Sequence, residues 1–145
     1  MAKMTMNLDP DEILGGLIKF AESDEVAKKM VAAGQEVMRA NIEAGAQKHR
    51  SELVRKHMAD SVKAYPPVVN NDGDIVGRVK FEGSAGTKKS KSGKRFDNTT
   101  WIRAFRVEYG TTNQDAEPFV RPAIRKSKKE IERKMKEVFD MEVKP

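Results

Sequence analysis

The chain contains two histidines, His49 and His57, and no cysteine. The histidines are eight residues apart, whereas two imidazoles on one helix face bind a common metal when they are four apart. Neither histidine lies in the strand–turn–helix setting that a nucleophilic serine or threonine requires. Carboxylate pairs such as Asp72 and Asp74 lie in predicted turns, where capping and solvation explain them. We therefore expect no enzyme activity, no metal site and no bound cofactor.

A basic stretch over residues 83–97 is the second candidate for chemistry. Its glycines and lysines resemble a phosphate-binding loop, but six residues separate Gly86 from Gly93, and Arg95 stands where a serine or threonine should coordinate magnesium. Nucleotide binding is therefore rejected. Residues 83–95 contain no apolar residue larger than alanine, which predicts a flexible loop between two strands. The residues expected to contact DNA or a partner protein are Lys88, Lys89, Lys91, Lys94 and Arg95.

Length and composition predict one basic domain. The 145 residues carry a net charge of +6, with a pI of about 9.5. A chain of this length forms one core, so residues 1–145 are predicted to be a single domain with a flexible tail at residues 1–7. Without cysteine there is no disulfide framework. No apolar run is long enough for a membrane span or a signal peptide.

Helical periodicity dominates the first third of the chain. Asp9 and Pro10, with Glu12 three residues after the cap, predict a helix start. A second, longer helix follows, with apolar residues on two adjacent stripes. Its first stripe contains Val26, Met30, Ala33, Val37, Ala40 and Ala44, and its second Ala27, Val31, Gly34, Met38 and Ile42.

Strand patterns follow in the middle of the chain. Residues 61–65 alternate and are predicted to stop at Pro66 and Pro67. Residues 70–73 form a turn signal, and residues 75–81 alternate with Gly77 at a predicted bulge or close helix contact. Residues 101–109 are also predicted to form a strand, because Phe105, Val107 and Tyr109 alternate with Arg106 and Glu108. Arg106 and Glu108 are therefore expected on its solvent-exposed face. The prediction is an α+β fold, in which N-terminal helices and a long C-terminal helix pack on an antiparallel meander of three or more strands.

A tight turn is predicted to connect that last strand to the C-terminal helix. Gly110 should adopt a positive φ, and Pro122 fits the first helical position. Phe119, a large aromatic residue just before the helix, is predicted to fill a pocket on a neighbouring subunit. The turn and interface motif comprises Glu108, Tyr109, Gly110, Thr111, Pro118, Phe119, Arg121 and Pro122.

The run over residues 106–123, which reads VEYGT and then AEPFVRPA, resembles the tail-completion proteins of long-tailed bacteriophages. These head–tail joining, or neck, proteins are often labelled tail components or morphogenesis proteins. The motif covers 18 residues, and the order of elements and the length agree over the whole chain. The resemblance implies a structural virion protein, found in the host cytoplasm during assembly and then in the neck.

The resemblance also implies partners. It implies that identical subunits form a six-fold ring in the virion and that DNA passes through this ring. Isolated subunits are expected to be monomeric. The neighbouring proteins would be the head connector and the tail terminator or tail tube. The charge alone supports an alternative, a small nucleic-acid-binding protein without sequence readout. Against that alternative, residues 83–95 lack the aromatic side chains on which bases stack.

Overall fold

A computed structural model describes residues 24–49 and 57–143. The predicted tail at 1–7, the helix predicted to begin near Asp9 and the segment 50–56 lie outside the described residues. The elements, in chain order, are α1 (Asp24–Gln47), a 3-10 turn (Met58–Ser61), β1 (Val62–Val69), β2 (Ile75–Phe81), β3 (Ser84–Lys89), β4 (Arg95–Thr99), α2 (Thr100–Tyr109) and α3 (Val120–Val143). The predicted α+β class and the long C-terminal helix are confirmed.

Helix α1 is the central layer of the described fold. One side of α1 packs on β1 and β2, and another packs along α3. The two long helices are antiparallel, because Lys29 pairs with Glu142 at 2.9 Å and Asn41 donates to Ser127 at 2.8 Å. The second predicted stripe of α1 is the more buried one, since its larger members line the core. Buried apolar residues of the core include Met30, Val31, Met38, Ile42, Ala46, Ile131 and Met135.

The contact between α1 and β2 depends on a glycine in the strand. A Cβ atom at Gly77 would lie 2.5 Å from Cδ of Gln35 and 2.8 Å from Cγ1 of Val31. The absence of a side chain therefore lets Gln35 approach the sheet, where its Nε2 donates to the carbonyls of Tyr65 at 2.9 Å and Arg78 at 3.0 Å. The predicted close helix contact at Gly77 is confirmed.

Strand β1 continues through both prolines to Val69 instead of ending before them. The register of β1 on β2 shifts between the Tyr65 and Val68 pairs, and Pro66 and Pro67 occupy this irregularity, where the ladder does not need their missing N–H groups. The turn that follows is confirmed. Asn70 Oδ1 accepts from the amides of Asp72 and Asp74.

Residues 100–109 form a helix, so the strand predicted there is wrong. Thr100, Ala104 and Glu108 are buried, and their spacing of four is that of one helix face. The alternation of Phe105 and Tyr109 with polar residues satisfied a strand pattern equally well over this short stretch. The described sheets are accordingly β1–β2 and β3–β4, each two-stranded and antiparallel, in place of a meander of three or more strands.

The basic stretch is a β-hairpin, which corrects the prediction of an irregular loop. Residues of β3 and β4 pair from Ser84 opposite Thr99 to Lys89 opposite Arg95, and Gly93 has a φ of 81° in the connecting turn. A hairpin pairs the facing backbone groups of its two strands by cross-strand hydrogen bonds, and these bonds do not require the apolar residues whose absence suggested a loop. We call residues 83–97 the basic hairpin.

Candidate functional site

The carboxylate of Glu108, in the last turn of α2, lies at the amino end of α3. Its Oε2 accepts from the backbone amides of Phe119 and Val120, each at 2.8 Å. Its Oε1 accepts from the amide of Arg121 at 3.2 Å and from Arg121 Nε at 2.9 Å. The first amides of a helix have no partner within the helix, so a side chain eleven residues upstream of Phe119 caps α3.

Burial and hydrogen bonding act in opposite directions on Glu108. The side chain is 5% exposed, and this burial by itself raises the pKa of the carboxyl. Hydrogen bonds from Val120, Arg121 and Phe119 outweigh burial and hold the pKa below its ordinary value of 4.5. The positive end of the helix dipole favours the same ionised form. Glu108 is therefore a charged group that connects α2 to α3.

Gly110 ends α2 and begins the connection to α3. Its φ of 76° and ψ of −179° lie in a region that is essentially restricted to glycine, which confirms the predicted positive-φ turn. The amide of Gly110 donates to Arg106 O at 2.8 Å, and the amide of Glu117 donates back to Val107 O at 2.8 Å. Thr111, exposed in the turn, pairs with Gln114. These bonds return the chain to the end of α2.

Phe119 belongs to the core of its own chain, so the predicted role as a plug for a neighbouring subunit is wrong. It is 5% exposed and contacts the rings of His49 and Phe81, with centroids 5.5 and 6.1 Å away. Gly45 lies against it, since a Cβ there would be 3.3 Å from Phe119. Because Glu108 holds the amide of Phe119, the ring is directed inward.

The two prolines of the motif flank a groove between the carboxyl end of α1 and the amino end of α3. Pro118 and Pro122 line it together with Lys48 and Lys126. Pro122 is the third residue of α3, since the helix begins at Val120, so the prediction that it is the first helical residue is wrong. The first turn still tolerates proline, because the missing N–H has no helical acceptor there.

An exposed row of aromatic side chains was missed at the sequence level. Trp101, Phe105 and Tyr109 are 55, 52 and 56% exposed and lie four residues apart along α2. Each ring contacts the next one along the helix. The centroids of Trp101 and Phe105 are 6.4 Å apart, and those of Phe105 and Tyr109 are 4.7 Å apart. The guanidinium of Arg121 lies 5.0 Å from the centroid of the Tyr109 ring. We call Trp101, Phe105 and Tyr109 the aromatic face. Their spacing of four was the signal that could have revealed it.

The five predicted basic residues lie together on the basic hairpin. All five are exposed, and none forms an ion pair with another part of the chain that the structure describes. The hairpin is attached directly to the amino end of α2, where Thr100 donates through its amide and its hydroxyl to Gly83 O. The basic hairpin is thus held next to the helix that carries the aromatic face by the bonds between Thr100 and Gly83. The residues of this set are Lys88, Lys89, Lys91, Lys94 and Arg95.

The histidines have structural partners. His57 is 2% exposed, and its Nδ1 accepts from the amide of Ala59 at 3.1 Å. Its Nε2 therefore carries the proton and donates to His49 O at 2.7 Å. His49 Nδ1 lies 3.3 Å from a carboxylate oxygen of Glu117. Within residues 24–49 and 57–143, no group of three potential ligands could hold a metal ion. In the same residues, no helix is both long and apolar enough to cross a membrane.

Comparison of the chain with protein-family models, with curated proteins and with solved structures gave no match.

Replacing Glu108 with glutamine should remove the charge and keep the shape. At pH 7 we expect the free energy of unfolding to fall by about 1.5–3 kcal/mol, because the hydrogen bonds would no longer be made to a charged group. The pKa of Glu108 is lowered by folding, so its contribution is complete above pH 4.5 and is lost as the pH falls through the folded-state pKa. The difference between wild type and Glu108→Gln should therefore shrink in acid.

Urea unfolding of both proteins across this pH range measures the effect. Glu132→Gln, at an exposed position on α3, is the control and should change stability by less than about 0.5 kcal/mol. If the difference in unfolding free energy between wild type and Glu108→Gln stayed constant down to acid pH, the result would contradict a charged cap.

Gly110→Ala should be more costly than the same change at Gly73, although both glycines have a positive φ. A Cβ at Gly73 meets nothing within 4 Å, whereas at Gly110 it would lie 2.8 Å from Gln114 O and 2.9 Å from the amide of Ala116. We expect the free energy of unfolding to fall by about 1–2 kcal/mol in Gly73→Ala and by about 3 kcal/mol in Gly110→Ala. Thermal and urea unfolding measure both losses of stability. Equal losses in the two variants would contradict the prediction, since the connection after α2 would then relax to accept the added methyl group.

Proposed function

We propose that this protein is a structural subunit of a ring at the neck or tail top of a long-tailed bacteriophage. The ring joins the head to the tail and lets DNA pass. The partners are further copies of this chain, the head connector and the tail terminator or tail tube. The subunit works by contact between surfaces and carries out no reaction.

The observation that carries this proposal is the connectivity of the motif over residues 106–123. These residues are the ones that resemble tail-completion proteins, and they fold around a single carboxylate. Glu108 holds the amides of Phe119, Val120 and Arg121, and Gly110 makes the turn between the two helices. A joining protein must present fixed surfaces to several neighbours, and a buried cap between two helices provides such rigidity.

The exposed surfaces also support assembly. The aromatic face leaves three large rings about half exposed on a helix, and contiguous apolar patches of this kind mark interaction sites. Beside it, the basic hairpin carries five cationic side chains. A two-stranded hairpin has unpaired backbone groups along its outer edges, which another chain can pair with.

A second candidate function is nonspecific binding of nucleic acid. The observation in its favour is that five cations of one hairpin have no ion-pair partners among the described residues. Phosphate contacts of this type supply affinity without sequence readout. The two functions agree if the basic hairpin faces DNA inside the ring.

Joining of heads to tails tests the proposal directly. Phage particles assembled without this chain should accumulate as separate filled heads and separate tails. Adding the purified protein should produce joined particles in electron micrographs, and Glu132→Gln, at an exposed position on α3, should join them as well as wild type does. Joined particles that form equally without the protein would overturn the proposal.

Replacing Lys88, Lys89, Lys91, Lys94 and Arg95 with serine tests the interaction with DNA. Folding should be retained, because these side chains are exposed. If the hairpin binds DNA, the slope of log affinity against log salt should flatten by up to about 0.9 for each phosphate that the variant no longer neutralises. Fluorescence anisotropy with duplex DNA measures this slope. An unchanged slope together with failed joining would assign the hairpin to a protein partner.

A further inference from the structure

The aromatic face is an apolar surface with positive charge beside it. Arg106 is exposed on α2 directly after Phe105 and three residues before Tyr109, and it forms no ion pair with any residue that the structure describes. Arg121 lies over Tyr109. If each ring buries 150–250 Å² when fully covered, the half-exposed face offers about 300 Å² for a partner. Its occupant must combine apolar groups with negative charge.

A second surface of the same chain has this composition. Val68 and Val69, at the end of β1, are 45 and 46% exposed. The turn that follows carries the exposed carboxylates of Asp72 and Asp74, and neither pairs with a cation in the described part of the chain. We call residues 68–74 the acidic tip.

The two surfaces lie at opposite ends of the β1–β2 hairpin. Helix α2 packs near the start of β1, against the 3-10 turn, and its Thr100 is bonded to Gly83 just beyond β2. The acidic tip lies at the other end of the eight residues of β1, which span roughly 25 Å. One copy therefore cannot cover its own aromatic face with its own tip.

We propose that the acidic tip of one copy docks on the aromatic face of the next copy. Val69, the last residue of β1, would lie on the rings of Phe105 and Tyr109, and Asp72 and Asp74 would pair with Arg106. Such a head-to-tail contact uses two different surfaces, and it generates a ring if the rotation between copies closes. This inference deepens the proposed function and rests on it for the closed ring.

Charge favours this arrangement over two aromatic faces that meet around a two-fold axis. A two-fold contact presents the same patch twice, so it would bring Arg106 toward Arg106 and leave the acidic tip without a role. The size of the contact predicts that isolated subunits stay apart. A standard stable interface takes about 800 Å² from each partner, more than twice what the aromatic face offers, so single contacts are weak and closure of the ring makes them persist.

Disulfide trapping tests the contact, and the chain suits it because it has no cysteine. The double variant Val69→Cys with Phe105→Cys should form disulfide-linked dimers, trimers and larger species under mild oxidation. Its rate should exceed by about tenfold that of a control pair, Val69→Cys with Lys129→Cys, because docking raises the local concentration of the two thiols. Lys129 is exposed on α3, outside both surfaces.

Single variants separate the two geometries. A mixture of Val69→Cys protein and Phe105→Cys protein should give mixed dimers and nothing larger, as measured by non-reducing electrophoresis and mass spectrometry. Efficient dimers of Phe105→Cys alone would show a two-fold contact and overturn the proposal. Cross-linking of the double variant no faster than the control pair would also overturn it, since another molecule would then cover the aromatic face.

The joining assay distinguishes this inference from the proposed function. If joining succeeds while the double variant fails to cross-link, the function stands and the contact between copies is wrong. If cross-linking succeeds while joining fails, the chain forms head-to-tail assemblies that serve another purpose.

Discussion

The rest of the fold depends on a buried negative charge at the start of a helix. A carboxylate that is 5% exposed would be strongly unfavourable without partners. Glu108 has four donors, the amides of Phe119, Val120 and Arg121 and the Nε of Arg121. The same bonds satisfy amides that the helix itself leaves unpaired. These bonds therefore offset both the burial of the carboxylate and the lack of partners for the first amides of α3. They form only if α2 and α3 meet at a fixed position.

This constraint determines which side of α2 faces the solvent. Glu108 points toward α3, and Ala104 lies on the same buried side of the helix. Trp101, Phe105 and Tyr109 are thereby turned outward, and Arg121, whose Nε is held by Glu108, lies over Tyr109. The internal cap and the external aromatic face are two sides of one short helix. A change in the cap would shift the surface that we propose for contact between copies.

Much of the fold was predictable because local chemistry determines it. Helix α1 has its apolar stripes, residues 70–73 have turn residues, and Gly110 marks a positive φ. The helix at 100–109 was not predictable from alternation, because Phe105 and Tyr109 fit a two-residue period and a four-residue spacing alike. In the strand interpretation, Glu108 lay on the wet face, so its role as a buried cap was hidden.

Two other features depend on contacts between distant parts of the chain. Phe119 became a core residue because Gly45 and Phe81 receive its ring, and no pattern near residue 119 indicates them. The basic hairpin forms through cross-strand hydrogen bonds, which a search for apolar residues does not detect. The predictions of an interface role for Phe119 and of an irregular basic loop were therefore wrong because both structures depend on residues distant in the sequence or across a strand pair.

The most direct test of this account is an NMR titration of the Glu108 side-chain carboxyl in the folded protein. Four hydrogen bonds to the ionised form predict a midpoint below the ordinary value of 4.5, despite burial. A midpoint at or above 4.5 would contradict the account, since it would mean that burial outweighs the hydrogen bonds and that α3 is not capped by a charge.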